Sequence, residues 1–148
     1  MQTLHSADNR LSVQVPAQFK RETNLQESAL IQASKAKEDI YFIVMEESKK
    51  DFVAGFAVNN YADAILSAMQ KNLTDPQTLG ERRQLTVQQM PAEQIVLTGA
   101  IDGIKITYLI TLVEGRESFY QVLSWTLASR FDDRRELLDG IAKTFSER

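Results

Sequence analysis

Residues 105–145 read KITYLITLVEGRESFYQVLSWTLASRFDDRRELLDGIAKTF, and the changes of period within them decide the fold. Ile104, Ile106, Tyr108, Ile110 and Leu112 form one apolar face, and Lys105, Thr107, Leu109, Thr111 and Val113 a mixed one, which is the two-residue period of a strand. Gly115-Arg116 turns the chain. A second strand then sets Phe119, Gln121, Leu123, Trp125 and Leu127 against Tyr120, Val122, Ser124, Thr126 and Ala128. Both strands are partly apolar on both faces, so each needs cover above and below. From Asp132 or Asp133, either of which can cap, the period lengthens to that of a helix carrying Leu137, Leu138, Ile141, Ala142 and Phe145 inward. Gly140 lies inside that helix, and close approach to the sheet is the expected compensation for its low helix propensity.

Working outward, Asp102-Gly103 is the strongest hairpin signal in the chain, because both residues tolerate the positive φ of a type I′ turn. It joins the quoted stretch to a strand over 94–101 carrying Ile95, Leu97 and Ile101, preceded by a short strand, Leu85-Thr86-Val87, that ends before Met90-Pro91. Leu79 to Arg83 reads as a charged loop. Val58, Tyr61, Ile65, Met69 and Leu73 recur at three- and four-residue steps and predict a helix over 58–73, capped by Asn59 or Asn60, with Asp63 in its first turn and Asp75-Pro76 closing it. Nearer the start, Leu11, Val13 and Val15 alternate up to Pro16, and residues 17–27 are polar and irregular. Residues 29–33 and 40–45 predict a hairpin around the polar turn 35–39, with 40–45 a central strand. Together these elements predict one α+β domain over 1–148. Its centre is an antiparallel sheet of about six to seven strands with helices on both faces, an α/β/α sandwich.

Composition excludes more function classes than it suggests. The chain has 148 residues, 43% hydrophobic and 25% charged, so it has enough apolar surface for a single core. Its 17 basic and 20 acidic residues are interspersed, which leaves no basic stripe to neutralise phosphates and argues against nucleic acid. The doublets Lys49-Lys50, Arg82-Arg83 and Arg134-Arg135 read as solvated faces. No apolar run reaches the roughly 18 residues of a membrane span. The first residues, Met1 to His5, lack the basic and apolar regions of a signal peptide, so no export signal is expected in the chain as written.

Without cysteine, thiolate nucleophiles and cysteine-ligated metals are excluded. His5 is the only histidine and lies in a polar segment expected to be mobile, a poor place for a catalytic base or ligand. Glu46 and Glu47, adjacent on a strand, must point to opposite faces and cannot share a proton or a metal. Asp132 and Asp133 are explained by the helix start. Asn72-Leu73-Thr74 matches a glycosylation acceptor at a predicted helix end, and no phosphate-binding or hydrolase motif is present. No catalytic residue, cofactor or metal ligand is therefore assigned. Tyr61, Met69 and Trp125 remain as a possible ligand or partner surface, although a stripe such as Tyr61 and Met69 is read first as core packing, and a tryptophan midway along a covered strand is more often core than an interface anchor.

The segment Phe119-Tyr120-Gln121-Val122-Leu123-Ser124-Trp125-Thr126, with Ser129-Arg130-Phe131 and a helix ending Ile141-Ala142-Lys143-Thr144-Phe145, resembles the C-terminal part of the PsbP-like and DcrB-like superfamily. Leu11 to Pro16 resembles that superfamily's first strand, and Tyr61-Ala62 its first long helix. The resemblance implies an antiparallel sheet with helices on both sides. It also implies a binding or assembly role, since members include an extrinsic photosystem subunit, a nuclear Ran-binding protein, periplasmic lipoproteins and chaperones of secreted effectors. Photosystem members are linked with calcium and chloride retention, for which this chain offers no matching motif, and no functional residue carries over. The expectation is a non-enzymatic protein-binding or assembly module of bacterial type with an unidentified protein partner. A lipid or small-molecule binder, or an effector chaperone, is the alternative. The periplasm, reached by a leader ahead of Met1, is slightly favoured over the cytoplasm.

Overall fold

The computed structural model describes residues 1–148. In chain order it runs β1 (Gln2–His5), β2 (Leu11–Val15), β3 (Lys20–Arg21), β4 (Ile31–Lys35), β5 (Ile40–Ser48), α1 (Val58–Gln70), β6 (Thr74–Thr78), β7 (Arg83–Val87), β8 (Met90–Ile101), β9 (Ile104–Glu114), β10 (Ser118–Leu127), α2 (Phe131–Lys143) and β11 (Ser146–Glu147). Eight strands form one antiparallel sheet in the order β3-β4-β5-β10-β9-β8-β6, with β7 also pairing with β8. A second sheet, β1-β2-β11, stands apart from it.

Register turns the alternation of the quoted stretch into two cores. Ile43, Leu123, Ile110 and Ile95 are direct cross-strand neighbours on β5, β10, β9 and β8 and face α1, packing with its Tyr61, Ala62 and Ile65. The opposite parity, including Phe42, Val44, Leu109, Val113, Tyr120 and Val122, packs with Phe131, Leu138, Ile141 and Phe145 and with Leu11, Val13 and Val15 of the small sheet. Asp102 and Gly103, at φ 51° and 80°, make the expected two-residue turn between the paired Ile101 and Ile104.

The differences from expectation lie mostly in edges and turns. The main sheet has eight strands where six to seven were expected, and the chain ends pair into the extra three-stranded sheet. His5 is therefore not in a mobile tail: it lies in β1 opposite Ser12. Asp75-Pro76 does not close α1, which stops at Gln70; it forms an irregularity within β6, where Asp75 takes φ 51°. Leu85 to Val87 do form a strand that ends before Met90-Pro91, but Met90-Pro91 is not a break: it opens β8, which begins four residues before the expected Gln94. Gln88 and Gln89, at φ 47° and 71°, make a second two-residue turn that pairs β7 with β8. Pro91 lies just before the β8–β9 ladder begins at Ala92, where its missing N–H costs no hydrogen bond between them.

Helix starts differ too. Ala57 is the N-cap of α1, its N–H donating to Asn60 Oδ1 at 2.9 Å, while Val58 N–H donates to Glu114 Oε1 at 2.9 Å. A carboxylate from β9 thus sits at the positive end of the helix dipole. Asp63 lies beyond the first turn and pairs with Arg82. Asp132 and Asp133 are in the first turn of α2 but neither caps it; Arg130 is the N-cap. The basic doublets are not simply solvated, for the first residue of each turns inward: Lys49 to Glu114, Arg82 to Glu93, and Arg134 to Thr126 and the Glu38 carbonyl.

Gly140 is exposed, and a Cβ there would meet nothing within 4 Å, so the close approach expected from the sequence is absent. Gly140→Ala is therefore expected to stabilise the protein by about 0.5–1 kcal/mol through helix propensity alone. Urea unfolding checks this as a raised midpoint at unchanged slope; a lower midpoint would mean the glycine is required.

Candidate functional site

One helix cannot cover this sheet. A helix is about 10 Å across and strands lie about 4.8 Å apart, so a single helix roofs about two strands. The 13-residue α1 lies over β8 and β9. On the far side, the segment before β4 folds over the sheet, held where Leu25 and Gln26 N–H groups donate to Gln32 Oε1 at 2.8 and 3.1 Å. Between them an open groove of about 490 Å³ runs over β10 and β5, with Ile43 and Leu123 buried at its base and Met45, Gln121 and Trp125 half-buried along it.

The floor of the groove is Ile43, Met45, Leu123 and Gln121, and α1 supplies Ile65, Ala68 and Met69 as one wall. Its aromatic end is a cross-strand row: Trp125 is directly opposite Tyr41 on β5 and Tyr108 on β9, with ring centroids 5.6 and 5.5 Å away. Tyr108 and Trp125 both line the groove, and burial raises the Tyr108 phenol above its ordinary pKa. At the other end Glu47 enters the groove. Tyr61 Oη donates to Glu47 Oε1 at 2.8 Å, and Gln121 Nε2 donates to Tyr61 Oη at 3.1 Å and to Glu47 Oε1 at 3.4 Å. Burial foremost, with help from the Glu47 carboxylate, pushes the Tyr61 phenol far above its usual range, so it stays a donor.

The three residues singled out from sequence come to the same region in different roles. Met69 and half-buried Trp125 line the groove. Tyr61 is fully buried behind it, stacked on Phe119 at 4.8 Å and holding Glu47 by its hydroxyl. Glu46 and Glu47 do point to opposite faces, Glu46 pairing with Arg10. The sequence reading missed Met45, Glu47, Gln121, Tyr41 and Tyr108. The signal was available for Gln121, which shares the parity of Trp125, and for Met45 and Glu47, which share that of Ile43. It was not available for Leu25, which lies in an irregular segment.

A second concavity, about 360 Å³, lies where Arg10, Arg116, Ser118, Tyr120 and Glu147 meet. Tyr120 Oη donates to Glu147 Oε2 at 2.5 Å, and burial first, then Glu147, raises the phenol's pKa. Arg10 pairs with Asp8 and Glu46, and Arg116 with Glu147, so these charges are already matched within the chain. No three histidine, aspartate or glutamate side chains gather in a way that suits a metal ion. No helix is long and apolar enough to cross a membrane.

No protein-family model matches the sequence, and no curated protein matches it. Solved structures do. A Synechocystis PsbP, CyanoP, superposes with a TM-score of 0.73 at 10% identity, over 99% of this chain and 92% of its own. LpqN of Mycobacterium tuberculosis, described as involved in cell envelope biogenesis, gives 0.70 at 12% identity over 98% and 88%. PA94 of Pseudomonas aeruginosa, of unknown function, gives 0.64 at 10% identity over 100% and 97%. Likeness at such low identity is likeness of fold alone, and the fold of this chain is PsbP-like.

Proposed function

We propose that the protein is a non-enzymatic binding module of bacterial type that takes an apolar helical segment of a protein partner into the groove beside α1. The observation that carries this reading is the open groove over β10 and β5, between α1 and the segment carrying Leu25. Two strands at about 4.8 Å spacing match the width of one helix of about 10 Å, and nine of the thirteen side chains around the groove are hydrophobic. The groove is open to solvent, so an occupant that brings its own outer cover suits it, as an amphipathic helix does in other grooves. Its one carboxylate, held by Tyr61 and Gln121, is a recognition group and not half of an acid–base pair. Escort of a secreted effector is the assembly role such a groove would serve. The periplasm is the compartment proposed with it, in keeping with a neighbour of the same fold described as involved in cell envelope biogenesis; fractionation of the native cells tests that.

Trp125 is the only tryptophan and so reports on the groove directly. Titration with a tryptophan-free amphipathic Leu/Ala/Lys peptide of 18 residues is expected to shift its emission to the blue with one-to-one saturation. Met69→Glu, which places a charge on the helix wall, is expected to weaken that binding at least about tenfold. Emission unmoved by the peptide, or binding indifferent to Met69→Glu, would remove the groove from the reading. An alkyl chain or small molecule is the second reading, favoured by the volume of about 490 Å³, which lies within the range of ligand pockets. Saturable displacement of the peptide by decyl maltoside below its micelle concentration would favour it.

A further inference from the structure

Five glutamates lie in strands, and four of them have a basic partner: Glu46 with Arg10, Glu93 with Arg82, Glu114 with Lys49 and Glu147 with Arg116. The fifth is Glu47, the only charged side chain lining the groove. Tyr61 and Gln121 both donate to its Oε1, while Oε2 accepts from no group of the chain. The carboxylate is thus fixed in place with one oxygen free, beside apolar walls. An occupant that covered it with hydrocarbon would remove water from an unpaired charge, at a cost on the order of several kcal/mol. An occupant that presents a cation would instead gain a charge-assisted hydrogen bond in a partly desolvated place.

Resting on the groove reading above, we infer that the segment held there is a cationic amphipathic helix, whose apolar side chains fill the Met69 and Trp125 part while a single lysine or arginine reaches Glu47 Oε2. Register gives the spacing. Glu47 lies six residues along β5 from Tyr41, the partner of Trp125, which is about 20 Å of strand at about 3.3 Å per residue. A helix spans that length in about 13 residues. The basic residue therefore lies near one end of the segment and the residue packed on Trp125 near the other. Charge also gives discrimination: an acidic or wholly apolar helix of the same shape is rejected by the carboxylate that a basic one satisfies.

The test is a selection with the whole protein. Peptides of 20 residues, helical by composition and randomised among Leu, Ala, Met, Lys, Gln and Glu, are displayed on phage. Those retained by the protein but not by the Trp125→Glu and Met69→Glu variants are sequenced, both variants first being shown to unfold cooperatively. The retained pool is expected to be enriched in lysine about 13 residues from an apolar cluster. For one such peptide, Lys→Gln in the peptide and Glu47→Gln in the protein are each expected to weaken binding about tenfold, and the two together no more than either alone. Retained peptides without lysine enrichment, or with affinity unmoved by Glu47→Gln, overturn the inference and leave the groove reading standing. If no peptide depends on Trp125 and Met69, the groove reading falls and the inference with it.

Discussion

Phe119→Ala is expected to lower the unfolding free energy by about 3–5 kcal/mol, the range for removing a large aromatic side chain from a packed core. Phe119 is fully buried at the start of β10 and joins three parts of the molecule. Tyr61 of α1 stacks on its ring at 4.8 Å, Phe52 and Phe56 from the segment before α1 meet it edge-on at 5.5 and 5.9 Å, and the Lys49 ammonium stands 5.5 Å over the ring. Alanine would leave a cavity that Tyr61 cannot fill, because its hydroxyl is tied to Glu47 and Gln121. Phe119→Leu keeps most of the apolar volume and should cost less than half as much. Urea unfolding of the three proteins measures both losses. A loss below about 1 kcal/mol for alanine would show that the aromatic cluster is not what seats α1. Because Tyr61 orients Glu47, the same variant should also weaken a groove ligand beyond what instability explains, which binding measured well below the unfolding midpoint would show.

The legible part of this chain was the part governed by period. Two-residue alternation over 104–114 and 118–127 placed the central strands, because a one-residue slip would put Leu123 and Ile110 on the wrong face. The groove was half legible for the same reason: Trp125 and Met69 are on faces the period assigns, but whether a face is covered depends on how many strands one helix spans. Strand count was the quantity least available. Short edge strands such as Lys20–Arg21 and Ser146–Glu147 have no period to read, and they form because a neighbouring strand offers unpaired backbone groups. Gln88-Gln89 escaped because glutamine carries no preference for positive φ, so the turn is imposed by the pairing of β7 with β8. Charge was the other blind spot. A doublet such as Arg82-Arg83 looks solvated in sequence, since the partner that turns one member inward lies eleven residues away on another strand.

That partner sets the second large effect, for Arg82→Met is expected to cost about 3 kcal/mol, the lower end of what breaking a buried ion pair costs. Glu93 on β8 is only 4% exposed, and Arg82 meets it with two parallel hydrogen bonds, Nε to Oε1 at 3.0 Å and Nη2 to Oε2 at 3.1 Å. The same guanidinium donates to Asp63 at 2.5 Å and to the Asn59 carbonyl at 2.7 Å, so it also ties the edge of the sheet to α1. The Asp63 contact is exposed and contributes little; the magnitude comes from Glu93, whose carboxylate methionine would leave buried without a cation. One consequence separates a stranded charge from simple loss of packing. Adding Glu93→Met to Arg82→Met should recover most of the loss, since it removes the stranded charge and fills the site with hydrocarbon. Thermal and urea unfolding of the two single variants and the double decide the matter. A double variant as unstable as the sum of the singles would mean that Arg82 acts through its contacts with α1 and not through Glu93.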